Sequence, residues 1–123
     1  MGISEYFFDT YAVLEIIKSN PSYEKYIDAK IRITFLNSLE IYYITLLQHG
    51  DKKAEEVFTR FKEFIVDIED PIIFDAMKFR LLNKKKSFSY ADCLGYIYAK
   101  KNNLLFLTGD DGFKGLQNVE FVK

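Results

Sequence analysis

Four carboxylates stand where chemistry could be done: Asp9, Glu40, Asp92 and Asp110. Asp9 closes a β-rich run from Glu5 that reads as a first strand. Asp110 lies two residues past Leu104–Thr108, an apolar run that reads as a buried strand. Glu40 and Asp92 fall in the first turns of helices read to begin at Asn37 and Ser89. In a parallel sheet, strand ends and the starts of the following helices open on one edge. Four acids from distant parts of the chain can therefore converge there. Like charges gathered in this way raise one another's pKa. A hard divalent cation relieves the repulsion, because Mg²⁺ takes oxygen ligands while keeping several waters, and oxygen ligands suit Mn²⁺ equally. Such an ion can generate a hydroxide nucleophile and polarise a phosphodiester. Acids, a metal and almost no histidine suit phosphodiester hydrolysis.

Taken singly, each acid also has a structural reading. Asn37 with Glu40, and Ser89 with Asp92, fit the cap-to-N3 pattern of a capping box. Asp9 fits a turn after a strand, and Asp110 fits a turn former ahead of Gly112. Caps alone, however, do not require all four acids at one edge of a sheet.

The elements that must position these residues follow from pattern. After the first strand, Thr10 to Ser19 takes helical spacing with Val13, Ile16 and Ile17 on one face. Asn20-Pro21 breaks it, and Ser22 to Tyr26 suggests a further helical turn. Lys30 to Phe35 reads as a second strand. A helix from Asn37 to about Gln48 carries an apolar stripe of Leu39, Tyr43, Leu46 and Leu47. Asp51 is read as the cap of a helix with Ala54, Val57, Phe58, Phe61 and Ile65 on one side. A third strand is expected around Phe64 to Ile68. Asp70-Pro71 reads as a cap followed by proline at the first helical position, opening a helix to about Asn83. Ser89 opens the next, to about Lys101. Val119 to Val122 reads as a last strand. Strands alternating with helices imply an α/β fold with a parallel sheet covered on both faces.

Composition limits the alternatives. The 123 residues amount to one domain at roughly 150 residues per domain. Hydrophobic residues make up 49%, with 12 Phe and 9 Tyr, which excludes intrinsic disorder. No apolar run reaches the roughly 18 residues of a membrane span, and the start lacks a signal peptide's pattern. A single Cys93 excludes an intrachain disulfide framework and a cysteine zinc cage. Together these lead us to expect a reducing cytoplasm and no membrane partner. A buried apolar role fits Cys93 better than a redox one. A single His49 leaves little for a catalytic triad or a histidine metal site.

Net charge is −1, but it is unevenly spread. From Lys78 to Lys101 there are seven basic side chains and one acid, Asp92. A solvated lysine face is the plain reading. The sharper one is a phosphate-attracting rim around a carboxylate, with Lys84, Lys85, Lys86, Lys100 and Lys101 as candidate phosphate contacts.

At these residues the sequence resembles the PIN-domain nuclease family and, in size and layout, its VapC-type toxins. Phe7-Phe-Asp9-Thr10-Tyr-Ala-Val-Leu14 resembles the first family motif and Asn37-Ser-Leu-Glu40-Ile-Tyr the second. Ser89-Tyr-Ala-Asp92-Cys-Leu-Gly95 resembles the third, and Thr108-Gly-Asp110-Asp-Gly-Phe113 the fourth. The resemblance covers essentially the whole chain. It implies a three-layer α/β/α sandwich with a five-stranded parallel sheet and Mg²⁺- or Mn²⁺-dependent endoribonuclease activity. It further implies that Asp9, Glu40, Asp92 and Asp110 form an acidic pocket. Asp9, Asp92 and Asp110 would be metal ligands, directly or through water, and Glu40 would hold the water shell or a second ion. Thr10 and Thr108 would orient the acids. In the doubled acid Asp110-Asp111, spacing to Phe113 favours Asp110. A small antitoxin and a homodimer are implied as partners, with the antitoxin groove expected near Tyr11, Tyr23, Tyr26 and Tyr43.

Three other readings compete: an antitoxin-free nuclease of RNA processing, an inactive binding module of the same fold, and a phospho-acceptor receiver domain. The receiver lacks support, because Asp9 is followed by Thr10 instead of a second acid and no suitable late lysine precedes a turn. The RNA substrate cannot be read from the sequence, since recognition usually targets unstacked single-stranded segments shaped by loops and surface charge.

Overall fold

Phe7 and Phe8 are neighbours in β1 (Tyr6–Phe8), so their side chains leave the strand on opposite faces. Both are fully buried. The strand must therefore be covered on both sides, and the rest of the chain is arranged to do so. The computed structural model describes residues 4–123. β1 lies beside β2 (Leu105–Thr108), and β2 beside β3 (Val119–Phe121), all parallel and in the order β1-β2-β3. Phe7 is in register with Phe106, and Phe8 with Leu107.

On one face, Phe8 and Leu107 pack with Val13 and Ile16 of α1 (Thr10–Ile17), Ile41 of α2 (Phe35–His49) and Val57 and Phe61 of α3 (Asp51–Phe61). On the other, Phe7 and Phe106 pack with Ile72 and Ala76 of α4 (Asp70–Leu82) and with Cys93, Tyr96 and Ile97 of α5 (Tyr90–Lys101). Phe106, Phe113 and Tyr96 form a dense aromatic group there, with the Phe106 and Phe113 rings 4.7 Å apart. The result is the expected three-layer α/β/α arrangement.

The sheet itself is shorter than expected. The predicted second and third strands are reduced to one isolated parallel bridge, Ile33 with Ile65. The Phe8 amide donates to the Arg32 carbonyl at 2.9 Å, and the Val66 amide to the Ile33 carbonyl at 2.8 Å. These two segments occupy the places of a fourth and fifth strand without forming ladders. Thr34 is already the cap of α2, which turns the chain away after Ile33.

Helix starts shift similarly. Gly50, not Asp51, caps α3, and Glu69, not Asp70, caps α4, which places Pro71 at its second position. The apolar stripe of α2 reverses expectation. Leu39, Tyr43, Leu46 and Leu47 are exposed, while Asn37, Ser38, Ile41 and Thr45 face inward. No described helix is long and apolar enough to cross a membrane.

Gly95 shows how closely α5 sits on the sheet. A Cβ there would be driven into the Phe7 ring and would come within 3.1 Å of Phe106. Gly95→Ala should therefore cost ~1–3 kcal/mol through overpacking. Urea unfolding followed by circular dichroism reads that loss directly.

Candidate functional site

Asp9 is the first residue past β1 and caps α1 with its backbone. Its amide donates to the Leu107 carbonyl at 3.0 Å, and its carbonyl accepts from the Val13 amide at 3.1 Å. The side chain makes no capping hydrogen bond to the helix. Instead, Asp9 Oδ2 accepts from the Thr108 hydroxyl at 2.6 Å. Among the described residues, Asp9 Oδ1 is the buried side-chain polar atom left without a hydrogen-bond partner. Burial pushes the Asp9 carboxyl well above its usual range, and the nearby Asp92 charge pushes it further, against the lowering effect of the Thr108 hydrogen bond. A buried, unpaired carboxylate oxygen is costly and calls for compensation.

Asp92 is the third residue of α5. It accepts from the Ser89 amide at 2.9 Å, while the Ser89 hydroxyl accepts from the Asp92 amide at 3.0 Å, a reciprocal capping box. Burial raises its pKa, Ser89's hydrogen bonds lower it, and the charges of Glu40 and Asp110 raise it. The cap reading and the site reading of Asp92 both hold, since one oxygen caps the helix while the charge faces other acids.

Asp110 follows β2. Its amide donates to Thr108 Oγ1 at 3.0 Å, and its Oδ1 accepts from the Gly112 amide at 2.9 Å, starting a 3-10 turn at Asp111–Phe113. Gly109 lets this loop close: a Cβ there would strike the Tyr11 ring and the Val122 carbonyl.

Glu40 reaches the group through a relay. The Thr10 hydroxyl donates to Glu40 Oε1 at 2.6 Å and accepts from Asn37 Nδ2 at 3.0 Å. Asn37 is not the helix cap that the sequence suggested. It is the third helical residue, boxed with Thr34, whose amide donates to Asn37 Oδ1 at 2.8 Å. Glu40 consequently sits in the second turn of α2. Asn37 is fully buried and fixes Thr10, a role that sequence reading missed. The signal was available: Thr34 also precedes the helix and pairs with position 37 at cap-to-N3 spacing.

Asp9, Asp92, Asp110 and Asp111 line one open cleft of about 410 Å³, together with Thr10, Ile44 and Lys123. Among the described residues, no three side chains of the ligand types His, Cys, Asp or Glu are gathered tightly enough to cage an ion by themselves. The oxygens of Asp92 and Asp110 are partly used by backbone amides. The donor set therefore fits a hydrated hard cation held by few carboxylates, with Asp9 Oδ1 as the free buried oxygen, and not a closed protein cage.

The predicted lysines divide. Lys86 Nζ donates to the Gly112 carbonyl at 3.0 Å, beside the Asp110 turn. Lys84 and Lys85 share its short 3-10 turn, Lys84–Lys86. Lys100 and Lys101 close the other end of α5, whose 12 residues at ~1.5 Å rise set them roughly 16 Å from its start. Lys101 pairs there with Asp75 at 2.6 Å. The four tyrosines near which an antitoxin groove was expected differ in exposure: Tyr23 and Tyr26 are core residues, Tyr11 is half-buried at the cleft, and Tyr43 is exposed.

The family model for the PIN domain matches residues 6–118. The chain belongs to the PIN domain family. No curated protein sequence matches it significantly. Solved structures resemble this PIN domain over nearly its whole length. VapBC2 from Rickettsia felis, bound to a DNA fragment from its promoter, matches with a TM-score of 0.72 and 19% identity, over 96% of this chain and 98% of that one. A toxin-antitoxin complex from Klebsiella pneumoniae matches at 0.70 and 16%, over 94% and 96%. DNA-bound VapBC from Salmonella typhimurium matches at 0.71 and 13%, over 97% of each. At these identities the likeness establishes the fold.

The buried Asp9 charge has a stability consequence. Its folded pKa lies above the unfolded value, so folding binds a proton, and stability is lost as pH rises from the ordinary carboxylate range through the folded pKa. Asp9→Asn removes that charge. In EDTA at pH 7 its thermal midpoint should exceed the wild type's, and the gap should close below about pH 4, where the acid is neutral in both states. Thermal melts across pH check this.

Proposed function

We propose that this PIN domain is a Mg²⁺- or Mn²⁺-dependent endoribonuclease and the toxin of a toxin-antitoxin pair acting in the cytoplasm. The observation that carries the reading is the unpaired, buried Oδ1 of Asp9, a residue that lines the same cleft as Asp92 and Asp110. Asp9, Asp92 and Asp110 are the acids that would hold the cation, directly or through water. A bound divalent ion supplies charge that polarises a phosphodiester and favours ionisation of an attacking water.

The chain's own residues do the positioning. Thr108 fixes Asp9 through one oxygen and leaves the other free. Thr10, itself fixed by Asn37, holds Glu40 by one oxygen, and the second is available to orient water. Ser89 keeps Asp92 at the head of α5. Hydrogen bonds of this kind around metal-holding acids typically matter by ~10–100-fold in affinity or activity. The cleft is open, as an extended polymer substrate requires.

The antitoxin reading rests on the similar structures, among them a toxin-antitoxin complex and the VapBC complexes, and on α2. Its exposed Phe35, Leu39, Tyr43 and Leu47 recur one helical turn apart and form an apolar strip next to the half-buried Ile44 of the cleft. A partner seated on that strip could cover the acids, and a second copy of the chain could use exposed apolar residues of α4, such as Phe74 and Leu81.

The test is cleavage of a structured RNA pool by purified protein with Mn²⁺, Mg²⁺ or EDTA, beside Asp9→Asn. Cleavage should require metal and fall to background in the variant. Expression of the wild type, but not the variant, should arrest bacterial growth. Metal-dependent cleavage without growth arrest would retain the nuclease and reject the toxin. Folded protein that cleaves nothing in either metal would reject both.

A further inference from the structure

A cleft lined by four carboxylates repels the polyanion it is proposed to cut, so cations must hold the RNA at its rim. Among the described residues lining the cleft, Lys123 is the one basic side chain. Its Nζ lies 3.1 Å from Asp111 Oδ1 and 5.9 Å from the centre of the Phe121 ring. The backbone behind it is anchored. The Val122 amide donates to the Thr108 carbonyl at 2.9 Å, and the Tyr23 hydroxyl donates to the Val122 carbonyl. Asn20 Nδ2 donates to the Lys123 carbonyl at 3.3 Å and to Glu15 Oε1 at 2.8 Å. The arm is thus mounted on β3 and on the end of α1, while its charged tip is exposed.

Lys86 touches the same turn, with Nζ on the Gly112 carbonyl. Two ammonium groups therefore contact Asp111–Phe113, next to Asp110. Both are tethered by exposed contacts. An exposed ion pair such as Lys123–Asp111, with side chains 59% and 74% exposed, is weak in water and readily exchanged for another anion. Asp111 makes no hydrogen bond within the acid network that Thr10, Thr108 and Ser89 organise. Its observed partner is the lysine.

We propose that Lys123 contacts an RNA phosphate at the mouth of the acidic cleft, and that Asp111 is a placeholder anion that positions this lysine and is displaced by the phosphate. Lys86 takes a second phosphate at the same turn. The inference rests on the nuclease reading and deepens it: the RNA backbone runs over the Asp110 turn, and Asp111 serves the lysine, not the metal.

The probe is a fluorescein-labelled RNA oligonucleotide of mixed sequence. Its binding is followed by anisotropy against NaCl concentration, in EDTA, with the full chain carrying Asp9→Asn so that nothing is cut. Lys123→Gln in that background should flatten the slope of log K against log salt by ~0.7, the loss of one phosphate contact on a single strand. Lys123→Arg should restore the slope. Asp111→Asn should bind the RNA more tightly, because the lysine loses its competing anion. A merely structural Lys123 would change thermal stability and leave the salt slope alone. An unchanged slope in Lys123→Gln, or weaker binding in Asp111→Asn, overturns the proposal. Either result beside wild-type protein that cleaves RNA removes this inference and leaves the nuclease standing. Absence of RNA binding by the parent also overturns the proposal, and the nuclease reading falls with it only where the wild type cleaves no RNA in either metal.

Discussion

The first strand ends in a carboxylate that folding places out of reach of water. Asp9 cannot move away, because its amide and carbonyl are committed to Leu107 and Val13. It cannot be solvated, because only 2% of its surface is exposed. Thr108 satisfies one oxygen, and the other has no partner in the protein. A protein that merely needed a helix cap here would do better with serine or asparagine, which cap without a charge. Much of the surrounding structure can be understood as the placement of this one acid and the control of what approaches it.

That control is spread over four separate stretches of chain. Each supplies an acid, held by a hydroxyl or amide from its own stretch or from another: Asp9 by Thr108, Glu40 by Thr10, Asp92 by Ser89, Asp110 by the amide of Gly112. Three of the acids belong to helix or turn starts, where backbone amides favour negative charge. Cap and site are therefore the same residues. A half-used carboxylate keeps its geometry without a metal and retains lone pairs for one. This explains why Asp9, Asp92 and Asp110 share a cleft without already forming a cage.

Much of this was legible in the sequence because it is local. The acids sit at ends of elements, and the ends of β1, β2 and α5 announce themselves through apolar runs and Ser89. The parallel sheet covered on both faces followed from strands alternating with helices, and the adjacent, fully buried Phe7 and Phe8 agree with it. What was not legible depends on tertiary choice. Thr34 and Asn37 are both competent caps, and only the buried contact of Asn37 with Thr10 decides between them. The α2 stripe of Leu39, Tyr43, Leu46 and Leu47 reads as core by spacing. Yet the helix turns its small and polar residues inward, because close approach to α1 and the Thr10 relay occupy that side. Lys100 and Lys101 look like neighbours of Asp92 in composition, but a rigid helix separates them. Lys123 is distant in sequence and arrives at the cleft through β3.

The central claim is that the cleft's acids are held poised for a cation that allows them to ionise. Calorimetric titration of Mn²⁺ into the metal-free protein, repeated in two buffers of different ionisation enthalpy, measures binding and proton release together. Mn²⁺ should bind with release of protons from the buried acids, and both should be lost in Asp9→Asn. Absence of binding, or binding that releases no proton and survives in Asp9→Asn, would contradict that claim.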